Sequence, residues 1–120
     1  MLRRISPAAP PPSTPPPPHA PQNHPHLGHG PVLKINANHR YASTAETQAH
    51  WLKHCPESQH FVSNNNTPCG TTIGPITATR LGIPTVDVGI PLLSMHSARE
   101  LCHLDDITAL HKALTNYLVG

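Results

Sequence analysis

The hydrophobic and polar positions fall into short, regular patterns only from residue 31 onward. Residues 32–36, VLKIN, alternate in the manner of a half-buried strand that runs on through Ala37 and Asn38 to Tyr41. Ser43-Thr44-Ala45-Glu46 then has the S-x-x-E form of a capping box, which predicts a helix to about His54. Ala45, Ala49, Leu52 and Trp51 give that helix one shallow apolar face, and Pro56 closes it. Gln59 to Ser63 predicts a second strand, followed by a turn-rich loop from Asn64 to Gly70. Thr71 or Thr72 can cap a helix that tolerates Pro75 in its first turn and stops at Gly82. Pro84 to Val88 predicts a third strand, and Ser94 to Cys102 a short helical piece. The last helix is capped by Asp105 or Asp106, with Ile107, Leu110, Leu114, Tyr117 and Leu118 as its apolar stripe. This order predicts an α/β fold, helices packed on a largely parallel or mixed sheet, with three strands that are few for independence.

Residues 1–29 break from this texture. Eleven of the 16 prolines lie within the first 31 of 120 residues, so polyproline II geometry replaces any core-forming pattern. The segment is expected to be a disordered Pro/His-rich leader, and its Arg4, Pro7 and Pro10 have the spacing of a polyproline ligand for an aromatic groove. A solvated tail is the plainer reading. His19, His24, His26 and His29 form at most a loose metal trap, because a flexible tail loses entropy for every ligand it fixes.

Charge and composition narrow the function. The net charge of +2 belongs to Arg3 and Arg4, while residues 32–120 balance six basic against six acidic side chains. A neutral body with four aromatics offers nucleic acid neither a basic patch nor a stacking surface. No apolar run reaches the ~18 residues of a membrane span. Cys55, Cys69 and Cys102 are odd in number and lack C-x-x-C spacing, which points to a reducing, cytoplasmic setting. The Arg-containing start lacks the apolar stretch of a secretory signal, although its Arg/Ser content leaves a transit peptide open.

Candidate chemistry concentrates at two places. The run TPCGTTIGP offers amides and threonine hydroxyls at a helix start, suited to an anion or a substrate pocket, or else to a tight cap. His96 sits at a strand-to-helix transition, where α/β folds place their sites, and a hydrogen-bonded structural role is its alternative. Cys69 has the setting of an activated thiol but no identifiable base, so packing is favoured. His39, His50, His54, His60, His103 and His111 read as showing no H-E-x-x-H or comparable spacing.

Three segments carry a resemblance: GPVLKINANHRYAS (30–43), NTPCGTTIGPITATRLGIPTVDVG (66–89) and LSMHSARELC (93–102). In order and spacing they resemble the C-terminal part of the catalytic domain of the aspartyl aminopeptidase family of zinc metallopeptidases. The resemblance covers roughly residues 30–120. It implies a partial three-layer sheet with flanking helices, and release of N-terminal, typically acidic, residues from peptides by a two-zinc centre. By the same resemblance His96 of S-M-H-S is a metal ligand, and Lys34 and Tyr41 touch the substrate. The loop from Thr67 through Cys69, Gly70, Thr71 and Thr72 to Gly74 shapes the pocket floor. The family also forms homo-oligomers.

Departures accompany the likeness. The family's bridging aspartate, glutamate base, neighbouring glutamate ligand and first histidine ligand lie upstream of the matched segments. His19-Ala20 echoes a further motif, but Pro16 stands where its aspartate would be. A catalytic zinc takes about three protein ligands, and His96 supplies one. The expectation is a fragment inactive alone that needs completion by the missing part of the enzyme. The alternative is a non-enzymatic interaction module with a polyproline leader. A small hydrolase recruiting leader histidines is the third reading.

Overall fold

A computed structural model describes residues 24–63 and 71–120. Most of the predicted leader, 1–23, and the segment 64–70 lie outside the described residues. The elements run β1 (Val32–Ile35), α1 (Ala45–His54), β2 (Gln59–Val62), α2 (Gly74–Leu81), β3 (Val88–Gly89) and α3 (Leu104–Val119).

β1 is the central strand of a mixed three-stranded sheet ordered β2-β1-β3. It pairs in parallel with β2, Val32 opposite Gln59 and Ile35 opposite Val62, across the β1-α1-β2 crossover. It pairs antiparallel with β3, Val32 opposite Gly89. Leu33 and Ile35 share one face of β1, since strand side chains alternate. Fully buried Leu33 packs there in a cluster with Trp51, Cys55 and Ala113. Ile35, Leu52, Val86, Val88, Leu110 and Tyr117 enclose that cluster, so α1 and α3 lie against the sheet as a helical layer. Trp51 is buried because its one polar atom has a partner: Nε1 donates to Ser58 Oγ at 2.8 Å.

Several elements start or turn differently from the pattern's prediction. Thr44, not Ser43, caps α1 and forms its reciprocal box with Thr47. Ser43 is engaged elsewhere, its Oγ accepting the backbone N–H of Asp87 at 2.9 Å. Thr71 does not cap α2, because its hydroxyl donates to the Arg40 carbonyl at 3.0 Å. The cap position belongs to Ile73, which offers no side-chain bond, whereas Pro75 and the left-handed Gly82 sit where expected. β3 is cut to two residues, although Asp87 O still accepts from Lys34 N at 2.9 Å.

Residues 94–100 form a loop rather than a helix, closed at its base by the Leu93–Leu101 bridge. Ser94 and His96 have φ of +57° and +66°, outside the right-handed helical region. α3 is capped by His103, whose Nδ1 accepts the N–H of Asp105 at 3.2 Å. Its buried stripe is Asp106, Leu110, Ala113 and Tyr117, not the one led by Ile107. Ile107, Leu114 and Leu118 are exposed at 44%, 41% and 81%.

Asp106 explains that rotation. It is fully buried, and its two carboxylate oxygens accept the backbone N–H groups of Gly28 and Gly30, each at 2.8 Å. Gln59 completes the attachment, accepting from His26 N and donating to the carbonyls of His26 and Gly30. The segment before β1 is therefore tied to both β2 and α3. No helix among the described residues is long and apolar enough to cross a membrane.

Candidate functional site

The alternation that buries Leu33 sends Lys34 to the opposite face of β1. Its Nζ lies 5.9 Å from the centre of the Tyr41 ring, within cation–π range. The Tyr41 ring meets Phe61 edge-on at 6.4 Å, and Phe61 is the β2 partner of Lys34. A side chain on Gly89 would touch the end of the lysine stem, 3.7 Å from Cε, so β3 runs close beside it. Lys34 is half-buried and Tyr41 buried, which gives the ammonium a defined seat.

The connection from β1 to α1 is folded by Asn36. Its Oδ1 accepts the N–H groups of Asn38 and Arg40, while its Nδ2 donates to Ser63 Oγ beyond β2. Arg40 O then receives Thr71 Oγ1 at 3.0 Å and Thr72 N at 3.4 Å. This sews the start of the α2 segment to the residue preceding Tyr41. Thr72 Oγ1 is shielded from solvent and has no hydrogen-bond partner among the described residues. Such a group costs stability unless something else engages it.

Asp87 joins the same assembly from the β3 side. Its Oδ2 accepts the N–H of Ala42 at 2.5 Å and leaves no room for a side chain at buried Gly74. In the sequence Asp87 is only a polar position within the strand predicted from Pro84 to Val88. Its proximity to residues 42, 43 and 74 needs the tertiary fold and had no local signal.

Lys34, Tyr41, Thr71, Thr72 and Gly74 are thus brought into one neighbourhood. Thr67, Cys69 and Gly70 lie outside the described residues. His96 lies on the 94–100 loop, exposed, with its backbone N–H donating to Glu100 Oε1 at 2.5 Å. No hydrogen bond, ion pair or ring contact links it to Lys34 or Tyr41 among the described residues. Nor do any three His, Cys, Asp or Glu side chains among those residues converge as metal ligands. The described residues therefore do not fit a complete catalytic zinc centre, which takes about three protein ligands.

Of the two described cysteines, Cys55 is buried in the core. Burial pushes its thiol pKa up, a bond with Ser58 opposes this, and nearby Glu57 adds to the rise. It is the wrong environment for a nucleophile. One correction concerns histidine spacing: His50 and His54 occupy H-x-x-x-H on α1, the separation of an H-E-x-x-H motif with Trp51 at the glutamate position.

Comparison with known proteins agrees with the motifs. The profile of a family described as "Aminopeptidase I zinc metalloprotease (M18)" matches residues 12–118. The chain is 53% identical over 106 residues to a probable M18 family aminopeptidase 2 of Streptomyces avermitilis, covering 85% of this chain and 24% of that protein. It is 48% identical over 100 residues to the counterpart from Ectopseudomonas mendocina, covering 79% and 23%. The chain thus spans about a quarter of the length of the curated relatives it matches. Among solved structures, one of an Ape4 and Nbr1 complex superposes with a TM-score of 0.75 at 38% identity, over 79% of this chain and 19% of that one. A crystal structure of prApe1 gives 0.77 at 28% identity, over 83% and 22%.

Proposed function

Because this chain belongs to the M18 family of zinc metalloproteases, the aminopeptidase I family, we propose that it forms one wall of a zinc-dependent aminopeptidase centre. Lys34, Tyr41 and the loop ending at Gly74 receive the N-terminal residue of a peptide, and His96 contributes one metal ligand. The observation that carries this reading is the seating of the Lys34 ammonium over the Tyr41 ring, in the fold neighbourhood of Thr71 and Thr72. A half-buried ammonium suits a substrate carboxylate, which favours peptides with an acidic first residue. The hydroxyl of Thr72, without a partner among the described residues, supplies a further polar contact.

The residues described do not assemble a metal centre, so the chain alone is expected not to hydrolyse peptides. Its family partner segment completes it, and the exposed stripe of Ile107, Leu114 and Leu118 is apolar surface available to that segment or to a second copy. In this reading 1–29 is a leader whose end docks on Gln59 and Asp106, 30–120 is catalytic-domain sequence, and the protein works in the cytoplasm.

Two assays test it. The purified chain, with added zinc or manganese, should release no free aspartate from an Asp-peptide. Grafting residues 24–120 in place of the matching segment of the Streptomyces avermitilis relative should yield an active enzyme. In that graft His96→Ala should abolish turnover. Lys34→Met should raise KM at least tenfold for an acidic first residue and much less for leucine. A folded graft whose activity survives His96→Ala, or whose acidic preference survives Lys34→Met, would refute the corresponding assignment.

A further inference from the structure

We propose that His50 and His54 form a chelate for a divalent late-transition ion, such as copper or zinc, on the side of α1 that borders α3. This site is separate from the Lys34 and Tyr41 neighbourhood and does not rest on the function proposed above.

The argument begins with helix geometry. Residues four apart lie one above the other on a helix face, and both histidines fall in the last five residues of α1. Their ring centres are 5.2 Å apart with planes at 73°. With metal–nitrogen bonds of about 2.0 to 2.1 Å, two imidazoles on one tetrahedral ion hold their ring centres ~5 Å apart. The observed ring separation meets that condition.

Packing pre-orders the pair. Tyr117 of α3 meets His50 edge-on at 4.9 Å and His54 at 5.5 Å, so one aromatic ring braces both imidazoles. Neither imidazole makes a hydrogen bond to another described residue, which leaves ring nitrogens available to ligate. His50 is exposed and His54 half-buried. An open hollow of about 330 Å³ beside His50 is lined by Glu46 and Lys53 as well as Tyr117, giving an ion access and room for water ligands. Glu46 favours a cation there and Lys53 opposes one, so binding depends on the imidazoles. Imidazole nitrogen suits zinc, copper and nickel better than magnesium or calcium. A second close histidine pair among the described residues, His26 and His29, is less suitable: its rings are 5.7 Å apart and His29 Nδ1 already contacts the Leu27 carbonyl.

The site carries its own reporter. Trp51, the only tryptophan, follows His50 directly, and its ring lies 6.0 Å from Tyr117. Copper bound by His50 and His54 should quench its fluorescence. Cu²⁺ titration of the full chain is expected to quench Trp51 saturably. The double variant His50→Gln/His54→Gln should need at least tenfold more copper, and His96→Gln should titrate like the unaltered chain. Equal quenching in the double variant and the parent would overturn the proposal. Zn²⁺ titration of the unaltered chain, followed by NMR of the histidine rings, needs no variant. His50 and His54 should shift together with Tyr117, and rings that stay still at saturating zinc would refute the site.

Discussion

A Cβ added to Gly74 would stand 2.7 Å from Oδ2 of Asp87. It would also stand 3.1 Å from the Ala42 side chain, so the contact is closed on two sides. Gly74→Ala should therefore destabilise the chain by about 1 to 3 kcal/mol, despite alanine's better helix propensity. Urea denaturation measures this. Asp87→Gly would relieve the clash while losing the bond to Ala42 N, so the two changes together should cost less than their sum. Additive losses would mean the crowding is absorbed elsewhere.

Asp106 offers a second test. Asp106→Ala removes the acceptor of two backbone N–H groups at once, and roughly 3 kcal/mol should be lost. Hydrogen exchange gives the local readout: the Gly28 and Gly30 amides should be protected in the parent and exchange rapidly in the variant. Fast exchange in both proteins would show that the segment before β1 opens freely.

Cys55 links stability to alkaline pH. Burial raises its pKa, so the unfolded chain loses the thiol proton first as pH rises. The associated stability is present at neutral pH, begins to fall above about 8.5, and is lost as pH passes through the raised folded value. In a chain with Cys69 and Cys102 replaced by serine, Cys55 should react with a thiol reagent far more slowly when folded than in urea. The alkaline decline should be smaller in Cys55→Ala. A decline of the same size in that variant would assign the effect to other groups.

The two sides of α3 predict opposite responses. Ala113 is 2% exposed and sits in the cluster with Trp51 and Leu33, so Ala113→Leu should overpack the core and cost about 1 to 3 kcal/mol. Leu118 is 81% exposed, and Leu118→Lys should change stability by no more than about 0.5 kcal/mol while improving solubility. Thermal melts of the two variants, one residue type apart in expectation, distinguish the buried face from the outer one.

These residues also explain which parts of the fold were legible in the sequence. Gly82 ends α2 as its backbone freedom implies, and Leu33 and Trp51 are core residues on strand and helix patterns of ordinary kind. α3 misleads because two stripes on it satisfy helical spacing. Pattern reading assigns a charged residue to solvent, yet Asp106 is buried through its bonds to glycines 76 and 78 positions away. Ser43 and Thr44 are equivalent as local caps, and only Asp87, 44 residues downstream, decides between them. Lys34 and Tyr41 were identifiable from motifs, but their mutual placement rests on β1 pleating and on the Asn36 turn. The H-x-x-x-H spacing of His50 and His54 is readable directly in the sequence, and the helix that puts the two rings on one face follows from the cap before it.

The positive φ of His96 gives that position two opposed preferences. A left-handed conformation costs a non-glycine residue about 1 kcal/mol, so the backbone alone would be better served by glycine. His96→Gly should raise the melting temperature by a few degrees, while in the active graft it should abolish turnover. A library of variants selected for thermal endurance would drift toward glycine at 96. One selected for turnover would hold histidine, and the divergence of the two pools at this one position would separate what the scaffold prefers from what the chemistry demands.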